Sequence, residues 1–286
     1  MRLAELNVDD VLLVDIVDGL PAGEALDISH SCATDVEVRG SNEFGDIRGS
    51  QLIVNTAGLP RKPGMTRLDL LAKNTAITRS VAEQIARYAP DAIVIQVANP
   101  MDLMAFVMMK ATGFPRNRVL GMGGMLDTLR FSYYIANELG VSPRTVSSMV
   151  IGEHSDHMVP LPSQTVVGGK PLREVLDEDR TAAVVEKTRH AGTEVVRLRG
   201  SAFYAPARAI AIMTATILND SKNVLPTSVY LEGEYGVSGI FVGVPARLGK
   251  SGLLEVVELE LDEQEFQAFR ESCNILKDKV REMAPD

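Results

Sequence analysis

The chain has 286 residues, 45% of them hydrophobic and 23% charged, ordinary globular proportions that argue against intrinsic disorder and suit one large or two medium domains. With 29 Lys and Arg against 38 Asp and Glu the net charge is -9, which opposes a broad footprint on nucleic acid. No window approaches the roughly 18 uninterrupted apolar residues of a membrane span, and acidic Glu5, Asp9 and Asp10 stand where a secretory signal would be apolar, so a cytoplasmic protein is expected. Cys32 and Cys273 are distant and cannot form a zinc site by themselves; they read as reduced thiols.

In chain order, short apolar runs at 11–14, 35–38, 51–55, 92–98 and 118–122 predict strands. Helices are predicted over 68–88, where Leu70, Leu71, Ile77, Val81 and Ile85 recur near helical spacing, and over 101–111. Near-continuous hydrophobic strands separated by helices indicate a doubly wound parallel sheet of Rossmann type, which binds ligands beyond the carboxyl ends of its strands. After Gly123 the texture changes. Helices are predicted at 125–139, 180–198, 206–219 and 263–283, and strands at 146–151, 229–231, 240–243 and 253–261. This predicts a dinucleotide-binding domain over 1–123 and an α+β domain over 124–286. No internal repeat or low-complexity tract is present, which excludes a solenoid.

Asp15 ends the first strand. A carboxylate there can accept both ribose hydroxyls of an adenosine and repel a 2'-phosphate, or it can be a solvated turn residue. The glycine-rich turn that normally accompanies such an acid belongs about 20 residues earlier, before Met1. Gly121 to Gly124 has Leu126 where a third glycine belongs, and Gly243 to Ser251 has the wrong spacing for a phosphate loop.

The loop from Ala57 to Arg67 contains Pro60, Pro63 and Gly64 and presents Arg61 and Arg67. Alone it reads as a solvated basic loop. At the carboxyl edge of a sheet it can fold over a site and offer planar bidentate donors to carboxylates. Asn99 before Pro100 either caps a turn or reaches a ligand. Asp127 and Arg130 share a helical face, as a surface ion pair or as an acid orienting a base beside a carboxylate clamp. His154, just past an apolar strand, is the candidate proton carrier. A structural histidine, or a small metal cluster with Asp156 and His157, is the competing reading, although that spacing matches no metal motif.

Taken together, Val14-Asp15, the Arg61 to Arg67 loop, Val97-Ala98-Asn99-Pro100, Leu126-Asp127-Thr128-Leu129-Arg130 and the run from Gly152 to Pro162 around His154 resemble the lactate/malate dehydrogenase superfamily. They are most similar to the lactate-dehydrogenase-like malate dehydrogenases of bacteria. The likeness continues through Gly200-Ser201-Ala202-Phe203-Tyr204-Ala205-Pro206 and Leu231-Glu232-Gly233-Glu234-Tyr235-Gly236. It implies NAD as cofactor and malate or oxaloacetate as substrate, no metal, no nucleic-acid or membrane partner, and a homodimer or homotetramer. His154 would be the general base and Asp127 would hold its tautomer. Arg130 would bind the carboxylate beside the reacting carbon, and Arg67 would polarise the carbonyl. Arg61 would pair with the second carboxylate, since an arginine buried against the methyl of pyruvate would be an unpaired charge. Asp15, Asn74, Val97, Ala98 and Asn99 would line the cofactor, Asn99 also reaching substrate.

Two departures from the family stand out. Ser155 occupies a position usually held by glycine, so a positive φ there would be strained by about 1 kcal/mol. The family's first strand and glycine-rich turn are not found, so the sheet is expected to lack a central strand, with about 20 residues missing upstream. A dehydrogenase of another 2-hydroxy acid such as lactate, a non-catalytic relic that no longer holds NAD tightly, and a metal-dependent hydrolase are the competing functions.

Overall fold

The apolar runs of the N-terminal half become strands because both of their faces can be covered by helices. The computed structural model describes residues 1–32, 35–60 and 66–283. In chain order it contains β1 (Val11–Val14), α1 (Leu20–Ser31), β2 (Val38–Ser41), β3 (Leu52–Asn55), α2 (Arg67–Tyr88), β4 (Ile93–Gln96), α3 (Met101–Thr112) and β5 (Val119–Gly121). Next come α4 (Gly123–Leu139), β6 (Val146–Ser147), β7 (Val150–Gly152), β8 (Met158–Pro160), β9 (Val166–Val167), β10 (Lys170–Pro171), α5 (Leu172–Val175) and α6 (Glu178–Arg199). The chain continues through α7 (Tyr204–Leu218), β11 (Val224–Glu232), β12 (Ser238–Gly249), β13 (Gly252–Val256) and α8 (Glu263–Met283).

The main sheet runs β3-β4-β5-β11-β12-β7-β8, with β13 beside β12. Strands β3, β4 and β5 are parallel, whereas β11 joins β5 antiparallel through Ser228 and Gly121. Hydrogen bonding therefore runs from the N-terminal half into the C-terminal half, across β5 and β11, without a break in the sheet. The parallel pair β1 and β2 forms a sheet of its own, and no described strand connects β1 to β3. Helices α3, α7 and α8 cover the main sheet, enclosing Ile95, Met104, Leu120, Val242 and Phe269. Each such fully buried side chain contributes roughly 1.5–3 kcal/mol.

The placement of several elements corrects the sequence-based expectation. The second strand is Val38–Ser41 rather than 35–38, because pairing with β1 sets Val38 opposite Val11 and Ser41 opposite Val14. The expected strand 146–151 is two strands: β6 pairs with β9 and β7 enters the main sheet between β12 and β8. The strand expected over 253–261 stops at Val256, where its pairing with β12 ends. Helix α1 had no sequence expectation. It carries Pro21 and Gly23 and buries only Pro21 and Ala25, so it offers little helical periodicity to read.

Candidate active site

The parallel strands deliver their carboxyl ends to one edge, and the site is assembled there from local devices. Helix α2 begins at Arg67 because Thr66 and Asp69 form a reciprocal capping box, Thr66 Oγ1 accepting from Asp69 N at 3.0 Å and Asp69 Oδ2 from Thr66 N at 3.1 Å. Helix α4 starts directly after β5, which puts Asp127 in its second turn and Arg130 on the same face. Thr128 on that helix accepts the Val150 amide at 2.9 Å, tying α4 to β7. Strand β7 ends at Gly152, whose φ of 86° turns the chain so that Glu153 and His154 follow at the sheet edge.

Asp127 is the hub. Its Oδ2 lies 2.6 Å from His154 Nδ1, and its Oδ1 accepts from Arg130 Nη1 at 3.0 Å. The Asp127 side chain is 1% exposed and those of His154 and Arg130 are each 13% exposed. With Nδ1 committed to Asp127, the imidazole's Nε2 is the nitrogen left for a substrate proton. Burial works against the imidazolium, but the charge and hydrogen bond of Asp127, helped by Asp102, outweigh it and raise the His154 pKa above its ordinary value.

Space for the ring is made by Gly123. A Cβ there would stand 2.5 Å from His154 Cβ and 2.6 Å from its Cγ. Gly121 and Gly124 serve packing too, the first against Met101 and Ser228 and the second against Pro226. Ser155 corrects a sequence expectation: the positive φ belongs to Gly152, and Ser155 is not among the residues with positive φ, so no strain arises there. Its hydroxyl instead accepts the His157 amide at 3.1 Å. Asp156 and His157 are exposed while His154 is turned inward to Asp127, and among the described residues no group of three His, Cys, Asp or Glu is placed to hold a metal.

At the neighbouring strand ends, Asp15 is exposed at the tip of β1. Its Oδ1 accepts the Val17 amide at 2.8 Å, and its carbonyl accepts from Asn42 Nδ2 at 2.7 Å. Asn74 is 1% exposed and its amide is committed to backbone: Oδ1 accepts Leu59 N at 2.8 Å and Nδ2 donates to the Asn99 carbonyl at 2.7 Å. Asn74 thus positions the strand ends from beneath instead of offering its own donors to a ligand. Val97 is half-buried, its amide donating to the Asn55 carbonyl at 3.0 Å, and Ala98 is buried. Asn99 is exposed, and its Oδ1 accepts the Met101 amide at 3.2 Å, the turn-closing role weighed for it. Arg61 and the side chain of Arg67 lie outside the described residues.

Asp102, Ser228 and Ser272 escaped the sequence reading. Asp102 Oδ2 accepts the His154 amide at 2.8 Å and Oδ1 accepts from Ser228 Oγ at 2.6 Å, while Ser272 Oγ accepts the Glu153 amide at 2.8 Å. One signal was available: Asp102 is the single acid in the first turn of a helix otherwise almost wholly apolar through Met109.

A model of the lactate/malate dehydrogenase NAD-binding domain matches residues 2–121, and one of the lactate/malate dehydrogenase alpha/beta C-terminal domain matches 124–285. The chain belongs to the lactate/malate dehydrogenase family. A malate dehydrogenase of Methanosarcina barkeri is 47% identical over 287 residues, covering 99% of this chain and 94% of that protein. The solved structure of the malate dehydrogenase from Aeropyrum pernix superposes with a TM-score of 0.94 at 43% identity, covering 99% of this chain and 93% of that one. A lactate dehydrogenase from Cryptosporidium parvum, complexed with lactic acid and nicotinamide adenine dinucleotide, does so with a TM-score of 0.93 at 39% identity, again covering 99% and 93%.

The chain carries the family's NAD-binding domain. The exposed Asp15 holds one carboxylate oxygen against its own backbone, and a carboxylate so placed suits a ribose hydroxyl as donor. A glycine-rich turn for the pyrophosphate does not occur within the 286 residues. No described helix is long and apolar enough to cross a membrane.

Proposed function

We propose that this protein is an NAD-dependent malate dehydrogenase of the lactate-dehydrogenase-like type, interconverting malate and oxaloacetate. The observation that carries the reading is the bridging Asp127 carboxylate, which faces His154 with one oxygen and Arg130 with the other. A proton carrier and a carboxylate clamp are thereby set side by side, the pairing that a 2-hydroxy acid needs at its reacting carbon.

NAD, when bound, supplies the hydride acceptor. In malate oxidation His154 Nε2 takes the hydroxyl proton, and the positive charge that develops on the ring is held by Asp127 through Nδ1. Arg130 keeps guanidinium donors beyond its bond to Asp127, and these orient the carboxylate next to the reacting carbon. Arg67 polarises the carbonyl in the reverse direction, and Arg61 pairs with the distal carboxylate, which selects a four-carbon diacid over pyruvate. Asp15 receives the adenosine ribose, and Val97, Ala98 and Asn99 flank the nicotinamide, with Asn99 also reaching substrate.

The division at residues 123 and 124 separates cofactor binding from substrate binding in this proposal, and the change at that point from parallel to antiparallel strands supports it. A first strand and glycine-rich turn would pair in the place where no described strand connects β1 to β3. A homodimer or homotetramer acting in the cytoplasm on a small dicarboxylate completes the reading. Initial rates with NADH and either oxaloacetate or pyruvate test it. Oxaloacetate is expected to be turned over with the higher kcat/KM, and a preference for pyruvate would reject the diacid assignment. Saturable NADH binding measured by fluorescence separates an enzyme from a non-catalytic relic.

A further inference from the structure

A buried polar cluster lies behind His154, and the reaction described above does not use it. Asp102, 3% exposed, sits in the first turn of α3. Its two carboxylate oxygens receive the backbone amide of His154 at 2.8 Å and the hydroxyl of Ser228 on β11 at 2.6 Å. Hydrogen bonding alone does not require an acid here. An asparagine would accept the His154 amide with its oxygen and donate to a rotated Ser228 hydroxyl, satisfying every group. What the acid adds is negative charge in a place where burial opposes it, since desolvation pushes the Asp102 pKa up to about 6 despite the hydrogen bonds from Ser228 and His154.

That charge bears on the histidine. Asp127 faces the ring from α4, and Asp102 holds the backbone of the same residue from α3, so His154 is flanked by two carboxylates. The other groups around Asp102 do not replace its charge. Glu153, on the same turn as His154, is paired with Lys279 of α8. The Cys273 thiol of α8 is driven up to about 12 by burial and stays neutral. Ser228 on β11 carries no charge, and Arg130 is bonded to Asp127 while its own charge opposes the imidazolium.

Resting on the assignment of His154 as proton carrier, we infer that Asp102 is a positioning residue for it, fixing the backbone of His154 at the sheet edge and holding the imidazole toward its protonated form. The acid acts through His154 and has no contact with substrate.

Asp102→Asn, Ser228→Ala and His154→Asn in the full chain test this, with kcat, KM, the pH midpoint of malate oxidation, NADH affinity and thermal melting all measured. Asp102→Asn is expected to lower kcat about tenfold and to move the midpoint to lower pH, with NADH affinity unchanged. Ser228→Ala strips a hydrogen bond from the carboxylate, making it more neutral, so the midpoint moves the same way by less. A lowered kcat with an unmoved midpoint, or wild-type behaviour in both variants, overturns the inference while leaving His154 as base. Should Asp102→Asn fail to fold, Ser228→Ala decides alone, an unmoved midpoint again counting against it. His154→Asn is the separate control: turnover that survives it removes the base assignment itself.

Discussion

Asp127 Oδ2 lies 2.6 Å from Nδ1 of His154, the shorter of the two bonds that this carboxylate makes with His154 and Arg130. The distance fixes which imidazole nitrogen faces the open edge and makes the aspartate the partner of any charge that develops on the ring. Asp127→Asn would present an amide in place of that charge and admit the wrong tautomer. Turnover is expected to fall at least about a hundredfold, with NADH affinity retained when both are measured on the same preparation.

The pH dependence follows from the raised pKa of His154, whose burial is outweighed by Asp127 and Asp102. Malate oxidation needs the neutral imidazole, so its kcat/KM is expected to rise with pH through a midpoint above 6.5, the ordinary histidine value. Oxaloacetate reduction needs the imidazolium and is expected to fall over the same interval. Profiles in the two directions that do not mirror each other would point to a different proton carrier.

Gly123→Ala places a methyl group 2.5 Å from His154 Cβ and 2.7 Å from Met101 Cε. Neither neighbour is free to retreat, because His154 is tied to Asp127 and Met101 is 1% exposed. Overpacking of this kind costs about 1–3 kcal/mol. A lower melting temperature together with a reduced kcat is expected, and activity equal to the wild type would show that the ring has room to move.

Asp102 carries a stability prediction of its own. Its folded pKa of about 6 lies above its ordinary 3.8, so the native state binds the proton more tightly than the unfolded chain does. Stability is therefore lost as pH rises from near 4 through 6. Asp102→Asn removes that loss. Its melting temperature is expected to equal the wild type's near pH 4 and to exceed it by a few degrees above pH 7, even as turnover falls. Melting curves across that range that stay parallel would show that the buried acid is not disfavoured.

Arg61→Gln tests the choice of substrate directly. Replacing the guanidinium with a neutral amide removes the proposed partner of the distal carboxylate. Oxaloacetate turnover is expected to drop while pyruvate turnover rises relative to it. An equal fall for both acids, measured as kcat/KM, would move specificity to another residue.

The parts of this protein legible in the sequence are those written in local pattern. β1, α2 and α8 stand within a residue of their expected bounds, because four to twenty-odd consecutive side chains carry one period. Asp127 and Arg130 were legible for the same reason, three residues apart on one helix. Helix α1 was not, since Pro21 and Gly23 break the pattern and its support comes from packing against β1 and β2. The split of 146–151 into β6 and β7 was equally hidden, because the strands' partners, β9 on one side and β12 on the other, lie elsewhere in the chain.

By itself the sequence determined the alternating architecture, the candidate proton carrier and its aspartate, and the family the chain belongs to, all of which reside in residue types at short spacing. Only the tertiary structure decided that Gly123 clears the space for the imidazole, that the positive φ falls at Gly152 and not at Ser155, and that Asp102 and Ser228 support His154 from behind. Those contacts join residues up to 126 positions apart. They exist only once the strands have paired, and no local period encodes which side chains will meet across them.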